Sequence, residues 1–178
     1  MKSILNSSLL AFIILFVGCQ NKLTSNIEEQ LPSSVTGTWK SDSTPWEITI
    51  KPNGIVESVT IPLGQVKLKP NKITKVPMKD GSTSIYKAGD IEASYNPETS
   101  ELFILVEVKD FNIAYKDNRI TGHQTDRFVG PVSADGKYWT PTWVNVYDYG
   151  PRFPYDPNDS IGKPLTFIKT ENSKKNSH

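Results

Sequence analysis

Cysteine occurs once in this chain of 178 residues and histidine twice. With a single cysteine no disulfide can form within the chain, so a folded domain here depends on packing alone. The histidines are His123 and the terminal His178, which excludes a histidine-rich metal site. A dyad of His123 with Asp126 would need both on one face of a strand, and their spacing has the wrong parity. Charge of one sign is also missing: 20 basic and 19 acidic side chains leave no basic stripe, which excludes nucleic acid as a partner. Only the last stretch, Lys169 to His178, is locally basic, and its composition reads as a frayed end. There is no Gly-x-Ser-x-Gly and no phosphate-cradling glycine loop. Asp90, Glu92, Glu98, Glu101 and Glu107 stand outside any catalytic pattern. Asp156-Pro157-Asn158-Asp159-Ser160 lacks the central glycine and distal glutamate of a calcium loop, and reads as an Asx-rich turn. The expectation is no enzyme, no cofactor and no metal.

What is present begins at the N-terminus. Lys2 precedes an apolar run that ends at Phe16-Val17-Gly18-Cys19. Leu9 to Gly18 is about half the roughly 20 residues of a transmembrane span, and it has the length and small-residue boundary of a secretory signal. Phe16-Val17-Gly18-Cys19 resembles a bacterial lipobox, although the family favours leucine where Phe16 stands. The resemblance implies cleavage after residue 18, lipid on Cys19 and a membrane-anchored, extracytoplasmic protein. Gln20 rather than aspartate after the cysteine implies, by analogy with enterobacterial sorting, the outer membrane of the cell envelope. The expected organisation is a signal peptide over 1–18, a lipidated N-terminus and tether over 19–35, one β domain over 36–169 and a tail over 170–178.

From Val35 onward hydrophobicity alternates with period two and turn signals recur every eight to twelve residues, the pattern of an antiparallel sandwich or barrel. Trp46, Ile48 and Ile50 share a face, and Pro52-Asn53-Gly54 turns the chain into Ile55 to Ile61. Further strands are predicted at Gln65 to Lys69, Ile73 to Met78, Ser82 to Lys87 and Ile91 to Tyr95. Leu102 to Val106, apolar on both faces, is predicted to be the most deeply buried. Phe111 to Tyr115, Arg119 to Val129, Tyr138 to Tyr149 and Leu165 to Ile168 follow. No window after Gln30 supports a helix of ten residues.

Gly37-Thr38-Trp39, followed by Trp46 to Ile50 and Asn53-Gly54, resembles the start of lipocalin-like (calycin-type) domains. That likeness implies an up-and-down barrel of about eight strands around a ligand cavity, its closed end plugged by Trp39. A β-sandwich is the alternative architecture.

The one chemical constellation is aromatic. Trp139, Trp143, Tyr147 and Tyr149 have equal parity, so a continuous strand would line them along one face. Such rings suit an apolar ligand or a sugar face. The opposite face, Thr140 to Val146, is small and β-branched, a shape expected to pack inward. The same rings could instead fill the core. Two functions follow: a lipid-anchored module binding a small apolar or glycan ligand, or a structural or inhibitor-like envelope lipoprotein with a protein partner and no small ligand.

Overall fold

Among the described residues, period-two alternation in the sequence becomes twelve strands. They are β1 (Gly37–Ser41), β2 (Glu47–Ile50), β3 (Val56–Ile61), β4 (Val66–Leu68), β5 (Ile73–Pro77) and β6 (Thr83–Asn96). Then come β7 (Glu101–Tyr115), β8 (Asn118–Pro131), β9 (Tyr138–Trp139), β10 (Thr142–Asp148), β11 (Lys163–Pro164) and β12 (Phe167–Thr170). The structure is a computed structural model that describes residues 30–115 and 118–170. The signal segment 1–18, Cys19, most of the expected tether and all but Thr170 of the tail lie outside the described residues.

The strands make two antiparallel six-stranded sheets, ordered β4-β3-β2-β1-β12-β9 and β11-β10-β8-β7-β6-β5. Among the described residues the ladders do not close into the barrel implied by Gly37-Thr38-Trp39, and the two-sheet alternative describes the fold. The reason lies in the outermost strands. β4, β9 and β11 are only two or three residues long, while β5 and β11 end on Pro77 and Pro164, which have no backbone N–H to extend a ladder. One isolated bridge, Val132 to Trp139, joins the sheets at one corner.

β7 is central in the larger sheet, as its apolar run predicts. Leu102, Ile104, Val106 and Val108 are fully buried, whereas Phe103 and Leu105 face outward and are half-buried. Four predicted strands, Ser82 to Lys87, Ile91 to Tyr95, Leu102 to Val106 and Phe111 to Tyr115, are in fact the two long strands β6 and β7. Register shifts at Lys87/Ala88, Ala88/Ile91 and Val108/Phe111 explain the difference. Each bulge moves the inward set to the other parity, from Val108 to Phe111 and from Ala88 to Ile91, so the alternation read from sequence breaks while the strand continues.

Tyr138 to Tyr149 differs in the opposite sense. It is expected as one strand, but Pro141 interrupts it, and β9 and β10 belong to different sheets. The crossing chain passes close to β8 at Gly130, where a Cβ would collide with the Thr140 carbonyl and Pro141. On β10 the facing also reverses the expectation. Trp143 and Tyr147 turn inward, and Val146 on the supposed packing face is 48% exposed.

An aromatic cluster occupies the centre. Trp139 lies 6.2 Å from Trp39, 6.0 Å from Phe128 and 4.8 Å from Phe167, measured between ring centroids. Trp39 Nε1 donates to the Val35 carbonyl at 2.9 Å, and Val35 is itself fully buried. With Leu31 also packed on the core, the chain enters the fold ahead of the boundary expected at residue 36. Asp156 caps the short 3₁₀ turn Pro157–Ser160 by accepting from Asn158 N at 2.9 Å, the Asx turn read from its sequence.

Candidate functional site

On β8 the even positions Gln124, Asp126 and Phe128 point between the sheets, and on β10 their neighbours Tyr147, Asn145 and Trp143 do the same. The direct cross-strand pairs are Gln124 with Tyr147, Asp126 with Asn145 and Phe128 with Trp143. Opposed residues on one face of an antiparallel pair touch, so an aromatic pair and two polar pairs stack in sequence along the cleft. His123 lies on the other face, exposed, as its parity requires.

Asp126 is fully buried. Its Oδ1 accepts from Trp143 Nε1 at 2.9 Å and Asn145 Nδ2 at 2.7 Å, and its Oδ2 accepts from Gln124 Nε2 at 2.8 Å. Tyr149 extends the network, its hydroxyl donating to Gln124 Oε1 at 2.6 Å. The Tyr149 ring is held edge-on by Phe111 at 5.3 Å and stacked by Tyr147 at 4.3 Å. Among the described residues no cation forms an ion pair with Asp126; the salt bridges join other carboxylates, all of them at least partly exposed. Burial therefore pushes the Asp126 carboxyl up to about 6, against the three hydrogen bonds, which pull it down.

The opposite sheet supplies the roof. Trp46, just before β2, stands edge-on to Phe128 at 5.0 Å and to Trp143 at 6.2 Å. Its indole Nε1 is buried and has no hydrogen-bond partner among the described residues. Buried indole N–H groups ordinarily find one. Trp46, Gln124, Asp126, Trp143 and Asn145, with Pro62 and Leu63, line a cavity of about 310 Å³.

That polar cavity adjoins an apolar chamber of about 480 Å³, and Pro62, Leu63 and Tyr149 line both. The chamber walls include Val76, Tyr86, Ile113 and Ile120, with Met78 and Phe153 partly exposed beside it. Gly64, at φ +77°, lets the chain between β3 and β4 press against Tyr86; a Cβ there would collide with the Tyr86 hydroxyl. An apolar cavity of several hundred cubic ångströms with a few convergent polar groups is the usual form of a small-molecule site.

A larger groove of about 830 Å³ runs beside β1, β2 and β12, lined by Lys51, Lys137 and Lys169 together with Glu57 and Asp135. Its charged walls are mostly exposed, and Lys169 Nζ is engaged with the Ser33 carbonyl. Among the described residues it holds no buried, unpartnered polar group, so it is the lesser candidate. Among the described residues no three potential metal ligands cluster.

The four rings expected to form one face are thus divided. Trp143 and Tyr149 line the cleft, Tyr147 stacks on Tyr149 without lining it, and Trp139 is enclosed in the core. Sequence reasoning missed Trp46, Gln124, Asp126 and Asn145. The signal for two of them was present: Gln124 and Asp126 share parity with Phe128 on a long strand, which places two polar side chains on the inward face. Comparison of the chain with protein-family models, curated proteins and solved structures found no match.

Proposed function

We propose that this protein is a lipid-anchored component of the cell envelope that holds a small amphiphilic molecule between its two sheets. The observation that carries the reading is an apolar chamber that shares the walls Pro62, Leu63 and Tyr149 with a smaller polar pocket, behind which the carboxyl of Asp126 is buried without a countercharge. Perturbed titratable groups facing a cavity mark candidate functional sites. The chamber favours the apolar body of a ligand over a flat glycan surface, and Trp143 and Tyr149 are the members of the aromatic set placed to touch it.

The test fills the chamber. Val76 lies on the edge strand β5 and lines the cavity, so Val76→Trp should occlude it at little cost to folding. The full chain is expected to bind the neutral dye Nile red, and Val76→Trp to weaken that binding at least tenfold with little change in melting temperature. Equal binding by both proteins, or none by the wild type, would remove the cleft from consideration.

Anchoring is tested separately. Cys19→Ser should leave an unlipidated precursor in the host. A mutant that fractionates with membranes and shows the wild-type mature mass would overturn lipidation at Cys19.

An interaction protein without a small ligand is the second reading. It is favoured by the outer face of the larger sheet, where Phe103 pairs with Val129, and Leu105 and Val144 flank the exposed Arg127, a partly exposed face of mixed character.

A further inference from the structure

We propose that the apolar chamber opens away from the bilayer that anchors the protein, so that its ligand enters and leaves through the aqueous space at the far end of the domain. The inference rests on the lipid anchor and the ligand chamber proposed above and adds the side from which that chamber is reached. Two places on β6 carry it. Ser84 and Tyr86, near its start, line the chamber. Ala93, Ser94 and Tyr95, near its end, line a separate pocket together with Gln30, Leu31 and Ile55. Leu31 N donates to the Pro52 carbonyl there at 3.1 Å. The chain that leads from Cys19 therefore joins the fold at one end of β6, and the chamber lies at the other.

Both sheets agree on this axis. On β7 the stretch from Asn112 to Phe103, which pairs with Ile85 to Ser94 on β6, spans about 30 Å at the usual rise of a strand. In the smaller sheet β3 runs the same way, from Ile55 beside the entry to Pro62 and Leu63 at the chamber. The chamber's exposed wall residues are Met78, where the turn between β5 and β6 begins, and Phe153. Its mouth is thus at the end remote from the entry. From Cys19 to Gln30 the chain can reach at most about 40 Å when fully drawn out. For the mouth to meet the anchoring bilayer, nearly all of that reach would be spent doubling back along the domain. An entry turned toward the bilayer needs little of it, and the entropy lost by a chain so stretched opposes the first arrangement. A protein held this way takes up a molecule already dispersed or carried in the aqueous phase, and does not draw it sideways out of its own membrane.

The experiment compares the two ends. The lipidated full chain, purified from its host membrane, is placed in vesicles whose outer leaflet carries acceptor-labelled lipid head groups. Lipid on Cys19 leaves the chain no other thiol, so Ile55→Cys or Met78→Cys takes the donor dye at one position only. Both side chains are exposed, and their replacement should cost the fold little. Energy transfer to the head groups should be about twofold or more stronger from position 55 than from position 78, because the two ends lie about 30 Å apart. Transfer from position 78 that equals or exceeds that from position 55 overturns the orientation and leaves the anchor and the chamber standing. Protein that fails to float with the vesicles removes the anchor and the orientation together, while Val76→Trp judges the chamber on its own. A variant lacking residues 22–27 reaches at most about 18 Å from Cys19 to the fold, and it should keep the same order of transfer. An order that appears only after this shortening would show that the mouth of the full chain folds back onto its bilayer, and would also overturn the proposal.

Discussion

Trp39→Ala is expected to destabilise the protein by about 3–5 kcal/mol, the range for emptying a large aromatic site in a core. Trp39 is fully buried, meets Trp139 edge-to-face at 6.2 Å and carries Lys169 Nζ over its ring at 5.5 Å. Its Nε1 also satisfies the Val35 carbonyl, so alanine would leave both a void and an unpaired buried acceptor. Domains of ordinary stability hold about 5–15 kcal/mol in all, so the variant should sit near the edge of unfolding. The measurement is a thermal melt, with a fall on the order of 10 °C expected. Trp39→Phe is the control: it keeps most of the ring and gives up only the hydrogen bond, at about 1 kcal/mol. A shift under about 2 °C for alanine would put Trp39 at the periphery.

The second large effect is a pH dependence. Burial raises the Asp126 carboxyl from its ordinary 3.8 to about 6 in the folded state. Between those values the folded protein keeps a proton that the unfolded chain has released. Stability contributed through this group therefore falls as pH rises from about 4 to about 6 and stays lower above that. Two units of pH at about 1.4 kcal/mol each make the loss on the order of 3 kcal/mol. Tyr149 is a second titratable group in the network and reaches Asp126 through Gln124. Denaturant unfolding of the wild type and Asp126→Asn at pH 4 through 8 isolates the effect, because other carboxylates cancel in the difference. Stability of the variant relative to the wild type should rise across pH 4–6 and then level off. A difference that stays flat from pH 4 to 8 would mean that the site is hydrated rather than sealed.

Much of the fold was legible because a half-buried strand writes its facing into the sequence. Trp46, Ile48 and Ile50 alternate with polar neighbours, and all three are buried. Leu102 to Val106 reads as a central strand and is one. The bulges and Pro141 were harder to read. A bulge flips parity within a strand, so Ala88 and Ile91 look like separate elements, and a proline between two sheets looks like a blemish within one. The candidate site was hidden by a different ambiguity. Gln124 and Asp126 are polar, and polar residues on an alternating strand read as its solvent face; only Phe128 in the same phase argues otherwise. Asn145 was read through the rings around it. The orphaned Trp46 N–H is legible only in three dimensions, because it depends on what fails to approach from the other sheet.

The aromatic arrangement carries a consequence for how this protein meets light. The four tryptophans form two close pairs, Trp39 with Trp139 and Trp46 with Trp143, and Phe128 packs against three of them. Excitation absorbed by one indole of a pair would migrate to the other before emission, so neither pair reports its members singly. Intrinsic fluorescence should be blue-shifted by burial and depolarised by exchange within pairs. Near-ultraviolet circular dichroism should show coupled bands, and separation of the sheets should remove that of Trp46 with Trp143, which spans them, before that of Trp39 with Trp139, which lies within one sheet. Trp46 and Trp143 border the cleft while Trp39 and Trp139 do not, which divides the spectrum into one pair that reports the cleft and one that reports the core.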